Sequence, residues 1–341
     1  MRLHVVLARL GLLAAFVYLF SAAASAGTFN IFGPVTYVRS TASPQTATAA
    51  FNALPGSQYT LHVESDSVAS AVVSLNGADV IVPSDMNPHL LVIDKPVQLQ
   101  ALNHLAVELR GAPGGKFTVR ILGADNDPPV IVAGVAPAPN AAGWNANNVT
   151  VTFSCSDATS GIAQCPPALT VSTEGKNQVI TGTAVDLAGN TASTAVSVSI
   201  DKTAPIALPS ASPAPNANGW TNADTTISFA CSDALSGIAG CTAPVLLTQE
   251  GTAQTVTGQA IDLADNQSSA SLTVSLDKTR PAITSTASPA PNAAGWNNTD
   301  VTVSFQCSDT LSGVDQCPQP QSVTADATGQ VVTGTATDKA G

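Results

Sequence analysis

Apolar and polar positions alternate with period two through most of the chain. Val149-Thr-Val-Thr-Phe-Ser-Cys155 sets Val149, Val151, Phe153 and Cys155 on one face and Thr150, Thr152 and Ser154 on the other. That is the pattern of a half-buried strand with an inward cysteine. Leu169 and Val171 share a face in the next run, and Ile180, Gly182 and Ala184 face inward with threonines outward. In Ala195–Ile200 the inward positions are Val196, Val198 and Ile200, and serines lie between them. The small Gly182/Ala184 pair is expected to let a bulky neighbour approach, with Trp144 the candidate.

The same pattern recurs. Val301, Val303, Phe305 and Cys307 copy the first strand, Val256, Gly258, Ala260 and Val332, Gly334, Ala336 copy the small-residue strand, and Leu272, Val274 and Leu276 copy the last. The stretch Pro137–Cys165 returns as Pro213–Cys241 and Pro289–Cys317, and Trp144, Trp220 and Trp296 keep a constant step (220 − 144 = 296 − 220 = 76). The chain is therefore a tandem array. Its repeats are expected at residues 127–203, 204–279 and 280–341. They open at Asp125-Asn-Asp-Pro-Pro129, Asp201-Lys-Thr-Ala-Pro205 and Asp277-Lys-Thr-Arg-Pro281. Proline ends a strand and stiffens a short connection, so these junctions predict restricted angles between modules. Gly341 is equivalent to Gly189, which leaves the third repeat without its last strand. An exposed apolar edge is a liability in a sheet, so the expectation is a fragment of a longer protein.

Residues 27–126 do not match the repeats. Strand-like runs are Phe29–Arg39, Tyr59–Glu64, Ala71–Leu75, Val97–Leu99, His104–Arg110 and Lys116–Leu122, with turn signals at Asn76-Gly77 and Pro113-Gly-Gly115. They predict a separate antiparallel β-sandwich. The fold class expected for the whole is all-β: tandem sandwiches in an extended array behind this first module.

Composition sharpens this picture. Charged residues are 10% and aromatic residues 4% of 341, which suits small domains with thin cores. A net charge of −11 argues against nucleic acid and anionic membrane surfaces as partners. Residues 1–26 carry Arg2 and Arg9, the apolar run Leu10–Phe20 and Ala24-Ser25-Ala26, the pattern of a cleaved secretory signal with the mature start at Gly27. No cysteine follows it, so a bacterial lipoprotein anchor is excluded, and no later segment predicts membrane insertion of the mature chain.

All six cysteines lie in the repeats, two in each, ten positions apart. Behind an export signal they are expected as disulfides, Cys155–Cys165, Cys231–Cys241 and Cys307–Cys317, in an oxidising compartment. Zinc would want closer pairs and histidines, and the repeats contain no histidine.

Six or so short strands per repeat with regular turns predict an immunoglobulin-like sandwich. The D-K-T-x-P junctions, the C-S-D-x-x-S-G-[IV] block and the D-x-A-[GD]-N turns resemble those of bacterial Ig-like domains strung together in surface proteins. The resemblance runs from about Pro129 to the end and implies stalk or adhesive modules. The run from Ser70 to Asp125 resembles an uncharacterised β-module found ahead of such repeats in secreted bacterial proteins.

Candidate chemistry is sparse. There is no G-x-S-x-G, H-E-x-x-H or Walker loop, and no catalytic residue is expected. His62, His89 and His104, with Glu64, Asp66 and Asp85 nearby in sequence, would need to converge to form a site. The acidic positions Asp157/Asp233/Asp309, Asp186/Asp262/Asp338 and Asp201/Asp277 recur in register. Calcium is the one cofactor they suggest, with Asp186, Asn190, Asp201, Asp262, Asn266 and Asp277 as ligands. Turn chemistry competes and is favoured, because Asp186-Leu-Ala-Gly-Asn190 reads as a tight turn and a calcium cage takes more carboxylates. Trp144, Trp220 and Trp296 are candidate sugar-stacking platforms, against packing over the core. The function expected is a non-catalytic, secreted or cell-surface structural or adhesive repeat protein. The alternatives are a glycan- or protein-binding module and an accessory region of a secreted enzyme whose catalytic domain lies beyond residue 341.

Overall fold

The structure is a computed structural model that describes residues 27–39, 43–86 and 91–341. The expected signal segment and His89 lie outside the described residues. The fold is all-β, as the alternation requires.

The first module is built from β1 (Gly27–Val38), β2 (Gln45–Asn52), β3 (Tyr59–Asp66), β4 (Ala71–Leu75), β5 (Ala78–Ile81), β6 (Val92–Val97), β7 (Leu102–Leu109) and β8 (Lys116–Asp125). They form two antiparallel four-stranded sheets, β1-β8-β3-β6 and β2-β7-β4-β5. The inward positions of both sheets meet in one core containing Leu61, Val63, Val73, Leu105, Val107, Phe117, Val119 and Ile121. Asn76 and Gly77, at φ 56° and 84°, make the two-residue turn between β4 and β5, since such hairpins need positive φ at both central positions. The sequence missed β2, whose Thr and Ala residues make a faint amphipathic pattern. It also missed the register break in β1 between Phe32 and Val35, where Gly33-Pro34 interrupts the ladder.

Repeat one contains β9 (Val130–Ala136), β10 (Val149–Ser156), β11 (Ile162–Gln164), β12 (Leu169–Val171), β13 (Gly175–Asp186) and β14 (Thr191–Ile200). Repeat two contains β15 (Ile206–Ser212), β16 (Trp220–Thr221), β17 (Thr225–Ser232), β18 (Ile238–Cys241), β19 (Val245–Leu247), β20 (Gly251–Asp262) and β21 (Gln267–Leu276). Repeat three contains β22 (Ala282–Ser288), β23 (Val301–Ser308), β24 (Val314–Gln316), β25 (Gln321–Val323) and β26 (Thr337–Asp338). In repeat two the sheets are β15-β17-β19 and β16-β21-β20-β18, with β16 parallel to β21. Repeat one repeats the orders β12-β10-β9 and β11-β13-β14, with a single Asn145–Ile200 bridge where β16 would be. In repeat three residues 329–336, the counterpart of most of β20, carry no ladder, and Val331 is 83% exposed.

By packing, the chain divides into two units. One runs to Gly134 and takes in Thr152–Ala168 and Thr181–Ala195; the other is Val135–Val151, Leu169–Ile180 and Val196–Gly341. The division passes through repeat one.

Each disulfide has the expected pairing, with Cα atoms 5.8, 5.9 and 5.8 Å apart. Its placement has a consequence the spacing alone did not show. Cys231 sits on β17 and Cys241 on β18, which belong to opposite sheets. The ten-residue separation therefore staples one sheet of the sandwich to the other.

The space beside the small-residue pair is filled by phenylalanine, not by Trp144. A Cβ on Gly182 would lie 2.4 Å from the Phe153 ring, on Gly258 2.6 Å from Phe229, and on Gly334 2.6 Å from Phe305. The aromatic ring of the facing sheet thus lies directly over each glycine. Gly258→Ala is expected to destabilise repeat two by about 1–3 kcal/mol through overpacking, read as a lower melting temperature. An unchanged or higher melting temperature would mean that the ring moves aside freely.

Candidate functional site

Among the described residues, nine aspartates gather into three clusters: Asp125, Asp157 and Asp186; Asp201, Asp233 and Asp262; Asp277, Asp309 and Asp338. Within each, carboxylate oxygens lie within 4.8 Å of one another. The construction is the same each time. The first aspartate ends the preceding module, the second follows the C-S-D strand, and the third closes the strand before the D-x-A turn. Each cluster therefore sits where the chain enters a repeat.

This corrects the grouping expected from sequence. Asp186 and Asp201 belong to different clusters, as do Asp262 and Asp277. The reason is strand direction. β21 leaves the turn after Asp262 and runs ten residues before Asp277, a span of roughly 30 Å at strand rise. Asp125, Asp157, Asp233, Asp309 and Asp338 complete the clusters. Their signal was the 76-residue recurrence of acidic positions, and proximity across a module boundary was not visible in it.

Hydrogen bonds account for the position of every carboxylate. Asp157 Oδ1 accepts from the backbone N–H groups of Thr159, Ser160 and Gly161 at 3.0, 2.8 and 2.8 Å and from the Ser160 hydroxyl. Asp125 Oδ2 accepts from Ser160 N at 3.1 Å, Asp201 Oδ2 from Ser236 N at 2.9 Å and Asp277 Oδ2 from Ser312 N at 3.0 Å. The backbone and side chain of Asn190 both donate to Asp186, and those of Asn266 to Asp262. Both asparagines thus turn the carboxamide nitrogen, a donor, toward the cluster. In that pose neither carboxamide oxygen is turned toward the carboxylates. The residues able to hold a hard cation are the nine carboxylates themselves. Each cluster gathers three such groups, where calcium takes six to eight oxygens.

The second aspartate of each cluster is tuned by these bonds. Burial pushes the Asp157 and Asp233 carboxyls up, but the N–H and O–H donors outweigh it and both are held below the ordinary carboxylate value. Asp309 is lowered chiefly by the Gly313 N–H. A carboxyl depressed on folding contributes stability above its unfolded pKa and loses it as pH falls through the folded value. The repeats are therefore expected to weaken below about pH 4. Chemical denaturation in chelator from pH 6 to pH 2.5 checks this; a midpoint that does not fall would contradict it.

The D-K-T junctions hold in two directions. Backward, Lys202 Nζ donates to Asn148 Oδ1 at 3.1 Å and the Ser172 carbonyl at 2.6 Å, and Lys202 N donates to Glu174 Oε1 at 2.6 Å. The Thr203 hydroxyl donates to the same carboxylate at 3.1 Å. Lys278 and Thr279 repeat this on Asp224, Thr248 and Glu250. Forward, Asp201 accepts from Ser236 N, and its carbonyl accepts from Asn266 Nδ2 at 2.9 Å. A second forward contact comes from the P-A-P-N loop. Asn140 Nδ2 donates to the Leu263 carbonyl and Asp265 Oδ2 at 2.9 and 2.6 Å, and Asn216 Nδ2 donates to the carbonyls of Lys339 and Ala340. Glu174 and Glu250 were missed because their partners lie 28 and 29 residues on.

The tryptophans differ. Trp144 is 5% exposed, so its ring is no surface platform; Trp220 is half-buried, and Trp296 is 55% exposed. Among the described histidines, His62 on β3 and His104 on β7 lie on different sheets at positions flanked by inward residues. They therefore face outward on opposite sides of the sandwich and do not converge.

Three disulfides point to an extracellular or otherwise oxidising environment. Among the described residues no helix is long and apolar enough to cross a membrane. No protein-family model matches the chain, and no curated protein matches it.

Proposed function

We propose that the chain is a non-catalytic extracellular structural protein, secreted behind a cleaved signal, whose Ig-like repeats form a disulfide-stapled stalk or spacer with an adhesive role at a cell surface. The observation that carries this reading is the two-way bracket at Asp201–Thr203 and Asp277–Thr279. Lys and Thr tie the outgoing chain to the repeat it leaves, and Asp ties it to the repeat it enters. A stalk needs such junctions, since reach is lost when modules bend freely about their linkers. The acidic surface keeps the array soluble and away from nucleic acid.

The half-buried Trp220 marks a second reading, a glycan- or protein-binding role. A glycan array and a panel of extracellular proteins separate the two. The stalk reading expects no binding that depends on this ring. Binding lost in Trp220→Ala, with the fold intact by circular dichroism, would replace it with the ligand-binding reading. As an accessory region of a secreted enzyme the same brackets would serve as spacers.

A further inference from the structure

The first module carries a side-chain network separate from the junctions. Across the outer face of β8, β3 and β6, Arg120, His62 and Asp94 are directly cross-strand, and Glu64 lies two residues along β3 from His62. His62 Nδ1 is 2.6 Å from Asp94 Oδ1. His62 Nε2 is 3.0 Å from Arg120 Nη2 and 3.3 Å from Glu64 Oε1, and Arg120 Nη2 is 2.7 Å from the same Glu64 oxygen.

These contacts match one tautomer of the neutral imidazole. A guanidinium nitrogen only donates, so in the neutral ring Nε2 accepts from Arg120 and carries the lone pair. The single proton of the neutral ring is therefore on Nδ1, donated to Asp94. Glu64 and Nε2 then present lone pairs to each other, and their 3.3 Å approach is not a hydrogen bond in this state. A second proton has only Nε2 to occupy. There it would meet the Arg120 N–H head-on at 3.0 Å, donor against donor and cation against cation, while Glu64 Oε1 stands ready to accept it. A further observation bears on how firmly Arg120 is held. Its Nε is buried and has no hydrogen-bond partner, so that nitrogen does not anchor it to the sheet. The charged groups facing His62 among the described residues are Asp94 from β6, Glu64 from its own strand and Arg120 from β8. β1, beyond β8, contributes only its Gly33-Pro34 break at this level.

We propose that His62 is a proton-operated latch on the first module. Neutral, it holds the Arg120 guanidinium across the sheet together with Glu64; protonated, it donates its Nε2–H to Glu64, competes for the oxygen Arg120 uses, and frees Arg120 toward solvent. Acid thus changes which charge this face presents without unfolding the sandwich beneath it.

The test is a pH titration of the intact chain by nitrogen-15 NMR, following both His62 ring nitrogens and Arg120 Nε. The latch predicts an unprotonated Nε2 in the neutral ring. It also predicts an Arg120 Nε–H signal that shifts, and exchanges faster with water, at the midpoint of the imidazole titration. In His62→Gln, which leaves the buried core untouched, the Arg120 signal is expected to be flat across that range. A neutral ring protonated on Nε2, an Arg120 signal that ignores the His62 titration, or an Arg120 titration that survives His62→Gln would each overturn the proposal.

Discussion

Replacing Asp201 with alanine is expected to cost about 3 kcal/mol and to loosen the boundary between repeats one and two. The Asp201 side chain is fully buried and accepts from Ser236 N at 2.9 Å and Thr203 N at 3.1 Å. Bonds to a charged acceptor contribute about 1.5–3 kcal/mol each, and removing the acceptor leaves buried donors unmet. The loss should be local. Amide exchange at Ser236 and Thr203 should accelerate strongly, and exchange in the first module should not change. Asp201→Asn keeps one oxygen but turns a donor toward the other N–H, so it should recover only part of the loss. Equal protection in wild type and Asp201→Ala would mean that the junction is held by something other than this carboxylate.

Removing the disulfides is the other large effect. Closing a ten-residue loop contributes about 2–3 kcal/mol per repeat in the chain-entropy account. Each bridge here also joins the two sheets of a sandwich whose buried core is small. In repeat two the buried cluster is Ile227, Phe229 and Val274, with five partly buried neighbours. The first module, with seventeen buried residues in its cluster among the described residues and no cysteine, is the internal control. In a variant with all six cysteines changed to serine, or under reductant, the repeats should unfold at distinctly lower denaturant while the first module keeps its midpoint. Repeats as stable reduced as oxidised would show that the sandwiches do not depend on the staple.

What could be read from the sequence follows from the range of each interaction. Period-two alternation is local, so the inward faces of Val149–Cys155 and Ala195–Ile200 and the 76-residue register emerged directly. Gly182 announced a close approach, but not that Phe153 makes it, because the two residues lie on opposite sheets. The aspartates were visible as a recurring set, but their grouping was not. Asp201 looks like a neighbour of Asp186 only until β14 carries the chain away from the turn, and the repeat it joins is the next one. Glu174 gave no signal at all, because a lone glutamate acquires its role only when Lys202 and Thr203 return to it. Strand β2 was lost for a different reason: alanine and threonine bury too little on either side to mark a face.

With the D-K-T brackets in place, successive repeats are expected to keep a fixed angle. Nitrogen-15 relaxation on the intact chain tests it most directly at the boundary between repeats two and three. β15–β21 and β22–β26 are expected to fit one rotational diffusion tensor, with Asp277, Lys278 and Thr279 as rigid as the strands beside them. Separate tensors for the two repeats, with fast internal motion at Lys278, would contradict it and leave the array a string of independent modules.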